Sequence, residues 1–164
     1  MVRIFNWSGV NCFNIKKLKM KVKIKKLVPE GVIPRYSKPG DAGLDLIAIG
    51  VDYNNPLYVE YNTGLSVEIP YGYVGLIFPR SSVSGIEMIL SNCVGVIDSG
   101  YRGEIKLRFK VLGTESDALE PIIYRRGDKV GQLIIIPYPQ IELEEVEELS
   151  ETVRGEGGFG STGK

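Results

Sequence analysis

IKLRFKV, residues 105–111, puts Ile105, Leu107, Phe109 and Val111 in one parity and Lys106, Arg108 and Lys110 in the other. Strict period-two alternation predicts a β-strand with one face in a core and one in water, because successive side chains point to opposite sides. Working outward, the same period recurs at Leu65, Val67 and Ile69, and at Val22 and Ile24 among Lys21, Lys23 and Lys25, with Met20 opening the first regular strand. Tyr73 to Phe78 reads as a further short strand. Val130 to Tyr138 is apolar in both parities, as expected of a strand between two sheets or at a subunit interface. Turn residues punctuate these segments at Gly40-Asp41-Ala42-Gly43, Asn54-Asn55-Pro56, Pro70-Tyr71-Gly72 and Arg126-Gly127-Asp128. The expected fold class is all-β.

With 164 residues, 43% hydrophobic and 24% charged, the chain fits one soluble domain with a real core. Twenty Lys and Arg balance twenty Asp and Glu, so no excess charge draws the whole protein onto nucleic acid, and direct nucleic-acid binding is not expected. The absence of a long apolar run or a signal-like leader makes a cytoplasmic, non-membrane protein the default expectation. Histidine is absent, which excludes His-based triads and imidazole bases within the chain and leaves acid–base chemistry to carboxylates. Cys12 and Cys93 lack a CxxC partner and read as ordinary thiols.

Residues 1–19 form an N-terminal extension of no assigned role, followed by a β domain over 20–150 and a C-terminal arm over 151–164. Seven lysines between Lys16 and Lys26 raise the question of a nucleic-acid patch, but their alternation favours a first strand with a solvated lysine face. The acidic stretch Ile141 to Glu151 reads as an outgoing strand and tether, with a short helix on Leu143, Val146 and Leu149 as the alternative. The arm RGEGGFGSTGK, residues 154–164, has five glycines and one large apolar group, so it cannot offset its own ordering entropy and should be held only by a ligand or a neighbour. Its glycines fit a dinucleotide-binding fingerprint and the start of a phosphate-binding loop. Both patterns need a strand before and a helix after, which this context does not supply. What remains is unshielded backbone N–H, the Arg154 guanidinium, the Ser161 and Thr162 hydroxyls and the Phe159 ring, a set suited to phosphate and base.

Two internal clusters are ambiguous alone. Pro79-Arg80-Ser81-Ser82 sits at a strand exit, where a guanidinium and hydroxyls are either a surface turn or a phosphate grip. Asp98, after the apolar Val94 to Ile97 and before Ser99-Gly100, is either a turn-former or a site carboxylate.

In order along the chain, PGDAGLDL (39–46), PRSS (79–82), NCVGVIDSGYRGE (92–104), RGDKVGQLI (126–134) and RGEGGFGSTG (154–163) resemble the five motifs of the trimeric dUTPase family. The resemblance implies a distorted jelly-roll-like β-barrel or sandwich, a homotrimer with active sites shared between subunits, and Mg²⁺-assisted hydrolysis of dUTP to dUMP and pyrophosphate. It implies that Asp98 activates the attacking water and that Tyr101 stacks on the deoxyribose, leaving no room for a 2′-hydroxyl. Asn92, Gly95, Val96 and Ile97 would form the hairpin that reads uracil through its backbone. Arg80, Ser81, Ser82 and Gln132 would hold the α and β phosphates, and Asp45 a water of the Mg²⁺ shell. Arg154, Gly160, Ser161 and Thr162 would close on the γ-phosphate while Phe159 covers the base. Two departures from the pattern are Gly100, where many members carry Asp, and the lack of a basic residue between Ser82 and Asn92. A related dCTP deaminase and a nucleotide-dependent regulatory protein on the same fold are the competing expectations.

Overall fold

The computed structural model describes residues 20–112 and 123–158. Ten short strands run in chain order: β1 Lys23–Lys26, β2 Leu44–Ile47, β3 Gly50–Asp52, β4 Val59–Asn62, β5 Leu65–Glu68, β6 Tyr73–Phe78, β7 Met88–Leu90, β8 Gly95–Ile97, β9 Lys106–Val111 and β10 Lys129–Pro137. A single 3-10 turn, Ser81–Gly85, is the only helical element among the described residues. All strand pairs are antiparallel and form a sheet β2-β10-β6-β8, a sheet β3-β4-β9-β7, and a two-stranded ribbon β1-β5. The all-β class expected from the alternation is the one observed, as is the distorted jelly-roll-like arrangement that the resemblance implies.

The core lies between the two four-stranded sheets. Leu46, Ile77, Val130 and Leu133 from one meet Tyr61, Met88, Leu90, Leu107 and Phe109 from the other, with Leu65 and Val67 of the ribbon closing one side. Tyr61, Phe109 and Tyr124 pack edge to face at 5.5–6.1 Å between ring centroids, and the Tyr61 hydroxyl donates to the Tyr124 carbonyl at 2.9 Å. Close approach of the sheets requires Gly131, where an added Cβ would strike Leu107 and stand 3.1 Å from the Phe78 carbonyl. Turns foreseen at Gly40, Gly72 and Gly127 are present, each with the glycine at positive φ.

Three sequence expectations change. The first strand begins at Lys23 rather than Met20, because β5 offers partners only from Leu65 to Glu68. β10 is buried at Val130, Gly131 and Leu133 but opens to solvent by Ile136, since β2 flanks it only as far as Leu133 and the between-sheets reading fits its first half alone. Residues 141–150 form neither strand nor helix, and Ile141, Leu143 and Leu149 are exposed. An extended acidic segment without a neighbouring strand has no ladder to join.

On the outer face of the second sheet, Glu60 is buried between two cations unforeseen in the sequence reading. Its carboxylate accepts from Lys106 Nζ at 2.6 Å and Arg108 Nε at 2.8 Å, and Arg108 lies 4.6 Å from the Tyr58 ring centroid. The register explains the meeting, since Glu60 is level with Arg108 across β4–β9. The Lys106 hydrogen bond, outweighing burial and reinforced by Arg108, holds the Glu60 carboxyl below its ordinary value. A depressed carboxyl contributes stability above its unfolded pKa and loses that contribution as pH falls through its folded value. Glu60→Gln should therefore cost about 1–2 kcal/mol near pH 7, because both cations stay partly in water. In denaturant titrations the gap to the parent protein should close as the buffer is taken below the carboxylate range.

Candidate active site

β10 carries the chemistry to one end of its sheet. Gln132 is level with Asp45 on β2 and with Phe78 on β6, and Arg80 follows Phe78 by two residues. Three segments far apart in sequence thus meet at Asp45. Its Oδ1 accepts from Arg80 Nε at 3.1 Å and from Gln132 Nε2 at 3.3 Å, while Oδ2 accepts from Lys129 Nζ at 2.8 Å. Ser37 Oγ stands 3.5 Å from Oδ2. Gly43 leaves the space that Gln132 fills, since an added Cβ would lie 2.9 Å from its carboxamide.

Lys129 is the residue that sequence reasoning missed here. Residues 129 and 132 of a regular strand face opposite ways. The ladder, however, pairs Lys129 with Ile47, Gly131 with Leu46 and Gln132 with Asp45, so one residue is bulged out between Lys129 and Gly131. The bulge restores both side chains to the Asp45 face. Burial alone would raise the Asp45 carboxyl, whose side chain is 12% exposed, but hydrogen bonds from Lys129 and Gln132 and the charges of Arg80 and Lys129 outweigh it and hold the carboxyl below the usual aspartate value.

Arg80 also caps the 3-10 turn in an extended conformation and reaches Ser82 Oγ at 3.4 Å. Ser81 and Ser82 are exposed at the start of that turn, directly beside the Asp45 cluster in the chain. A guanidinium, an amide and an ammonium around one carboxylate, with two exposed hydroxyls next to the guanidinium in the chain, form a surface matched to oxyanions.

Asp98 and Tyr101 lie elsewhere. β8 runs against β6 on the side away from β10, with Gly95 level with Ile77 and Ile97 level with Gly75. Asp98 therefore emerges at the opposite end of β6 from Arg80, roughly 15 Å from Gln132 by strand rise and spacing. A single chain does not bring the two sets together. Around Asp98 the backbone is tightly held. Its carbonyl accepts from Tyr101 N at 3.0 Å across the Ser99-Gly100 turn, Ser66 Oγ donates to the Arg102 carbonyl at 2.8 Å, and Glu104 accepts from Gly64 N at 2.7 Å. Ser66 carried no sequence signal, and Glu104 only its place at the end of NCVGVIDSGYRGE, because their partners are distant in the chain. The Tyr101 ring lies over Gly103, and its hydroxyl donates to the Glu104 carbonyl at 3.0 Å.

At the other end of β8, Asn92, Cys93, Val94 and Gly95 make a narrow turn. Cys93 is a free, exposed thiol with φ +59°, the sole non-glycine at positive φ among the described residues. Such a conformation costs of order 1 kcal/mol. A Cβ on Gly95 would meet Ile77 at 3.1 Å, so the turn lies directly on β6. Val96 is exposed and Ile97 half-buried. Arg154 is described, with its Nε donating to the Gly157 carbonyl at 2.8 Å within its own exposed turn. Phe159, Gly160, Ser161 and Thr162 lie outside the described residues, as do residues 1–19.

Comparison with known proteins supplies the context for this geometry. A dUTPase family model matches residues 30–163. A deoxyuridine 5′-triphosphate nucleotidohydrolase of Corynebacterium glutamicum is 42% identical over 145 residues, covering 87% of this chain and 95% of that one. The enzyme of the same name from Nautilia profundicola is 44% identical over 149 residues, covering 88% and 100%. Among solved structures, a dUTPase of Staphylococcus bacteriophage 80alpha with dUpNHpp superposes with TM-score 0.76 at 28% identity, covering 88% of this chain and 99% of that one. A dUTPase of phage phi11 of S. aureus, described with a structural Mg(II) ion, gives TM-score 0.68 at 27% identity, covering 79% and 98%.

The contact between Tyr101 and Gly103 yields a structural test. Gly103→Ala should drive the Tyr101 ring off its resting place while the Asp98–Tyr101 turn persists, which a crystal structure of the variant would reveal. An unmoved ring would mean that the backbone yields instead.

Proposed function

The chain belongs to the dUTPase family, and from that premise we infer that it hydrolyses dUTP to dUMP and pyrophosphate through the two clusters described above. The observation that carries the mechanism is their separation: a carboxylate and a sugar-sized aromatic ring at one end of a sheet, and an oxyanion-binding set at the other. Neither half suffices for chemistry on a nucleoside triphosphate.

In this reading the turn from Asn92 to Ile97 reads uracil through its backbone. Cytosine reverses the donor and acceptor and is refused at a cost of about 1–3 kcal/mol for each unpaired group. Tyr101, held over Gly103, stacks on the deoxyribose and occupies the space of a 2′-hydroxyl. Asp98 takes the proton of a water whose oxygen attacks the α-phosphorus, and the bond to the α–β bridging oxygen breaks as pyrophosphate leaves. Arg80, Ser81, Ser82 and Gln132 hold the α and β phosphates. The tail grips the γ-phosphate with Arg154, Gly160, Ser161 and Thr162 and lays Phe159 over the base, excluding water.

A divalent ion fits the site in one manner only. No three metal-ligating side chains gather among the described residues, so a cage built from protein is not offered. One oriented carboxylate, Asp45, suits an ion that keeps its waters and binds chiefly through phosphate oxygens, which is the habit of Mg²⁺. What Mg²⁺ supplies when bound is neutralisation of charge on the triphosphate. Asp45 would hold the ion through a water of its shell.

The same separation calls for more than one copy, because Asp98 of one has to meet Arg80 of another, and a homotrimer is the assembly proposed. Exposed Ile136, Tyr138, Ile141, Leu143 and Leu149 support assembly. So does an apolar groove of about 940 Å³ bordered by Val22, Ile24, Ile33, Leu44, Leu133 and Ile135. No helix among the described residues is long and apolar enough to cross a membrane, and the reading places the enzyme in the cytoplasm.

The deciding experiment offers dUTP, dCTP, dTTP and UTP with Mg²⁺ and analyses products. Pyrophosphate from dUTP alone is expected, and ammonia from dCTP would instead indicate the deaminase chemistry. Asp98→Asn should retain binding and lose about 10²–10⁴ in turnover, the usual share of a positioned base. Sedimentation equilibrium should give the mass of three chains, and an active monomer would contradict the shared site.

A further inference from the structure

Oδ1 of the Asp45 carboxylate is fully engaged in a way that conflicts with its proposed task. Oδ1 is occupied by Arg80 and Gln132, the same two groups that have to hold phosphate. Oδ2 is occupied by Lys129 at 2.8 Å, delivered there by the β10 bulge. If Arg80 and Gln132 turn to phosphate, Oδ1 is released and Lys129 becomes the remaining strong restraint on the carboxylate. Without it a side chain that is 12% exposed would lose its fixed direction just when it has to meet a hydrated cation. Ser37, at 3.5 Å, is too distant to replace it.

We propose that Lys129 is a positioning residue. It anchors Asp45 through Oδ2 while Arg80 and Gln132 transfer from Oδ1 to the phosphates, and the vacated Oδ1 accepts the metal-bound water. The inference rests on the functional reading given above. The exchange keeps local charge nearly matched: before binding the two cations face one carboxylate, and afterwards one cation has moved to the phosphates while Lys129 still faces Asp45. The bulge is what makes this possible, because a regular strand would aim residue 129 at the other face of the sheet. Lysine suits the place, since its single ammonium can hold one oxygen and leave the other free, whereas a guanidinium fork tends to take both.

The test is calorimetric titration of a non-hydrolysable imido analogue of dUTP into the full-length protein, with Mg²⁺ varied and in EDTA, beside steady-state hydrolysis. Loss of an outer partner of a metal-binding group typically costs ten- to a hundredfold in metal affinity, so Lys129→Met should raise the Mg²⁺ concentration for half-maximal tight binding by about tenfold or more. Analogue affinity in EDTA should stay within about twofold of the parent, because the outer partner acts only through the metal shell. Lys129→Gln, with a neutral donor of similar reach, should fall between the two, and melting midpoints should identify any variant that has lost its fold. An unchanged Mg²⁺ dependence in a folded variant would overturn the inference. So would an equal loss of affinity in EDTA, which would make Lys129 a direct phosphate ligand. If the parent protein itself neither hydrolyses dUTP nor binds the analogue, the functional reading fails first. A sound parent with an indifferent variant removes only the role of Lys129.

Discussion

The register of β10 between β2 and β6 is the constraint from which the rest follows. Its side chains at Val130 and Leu133 fill the space between the sheets, its Gly131 admits the opposing Leu107, and its Gln132 is level with both Asp45 and Phe78. A slip by one residue would send every apolar side chain to the wrong face. The core therefore fixes the alignment of the polar cluster, and the energy that orders the site is hydrophobic burial rather than the ion pairs themselves. The ion pairs decide direction: which oxygen of Asp45 is engaged, and by what.

Strand existence was legible wherever one face is wet and one dry. IKLRFKV and the segment beginning at Leu65 gave β9 and β5 directly, and left-handed glycines stand at the turns at Gly40, Gly72 and Gly127. Pairing was not legible, since Glu60 with Lys106 and Arg108, or Ser66 with Arg102, depend on which strand lies beside which. The bulge between Lys129 and Gly131 was hidden for a sharper reason. Parity arguments assume an unbroken ladder, and one inserted residue inverts them, so the same motif that disclosed Gln132 concealed Lys129. The stretch Ile141 to Glu151 misled in the other direction: it read as an outgoing strand and tether, or a short helix, but a strand needs a neighbour and none lies beside it among the described residues.

The site residues divide by how they are held. Asp45 and Tyr101 are fixed by packing and hydrogen bonds before any ligand arrives, which lowers the reorganisation needed on binding. Arg80 and Gln132 are bonded to Asp45 Oδ1 and leave it in the proposed exchange, and Arg154 bonds only within its own turn among the described residues. Under the proposed function, the parts that stay in place are those around the base and sugar, and the parts that move are those around the phosphates. Discrimination between nucleosides benefits from a preformed shape, whereas enclosing a multiply charged group requires parts that move.

Under the proposed shared site, the distance between Asp98 and Arg80 also has a consequence for inheritance. When a catalytic site draws its two halves from different copies, a chain damaged at one end still lends a sound opposite end to its neighbour. Two variants carrying separate lesions, one beside Asp98 and one beside Arg80, would then rebuild whole sites in mixed assemblies, although neither variant builds any alone. A lesion at the β10 register, which disturbs both ends at once, has no such rescue. Recessiveness or mutual complementation among variants would thus map onto the two ends of a single strand pair.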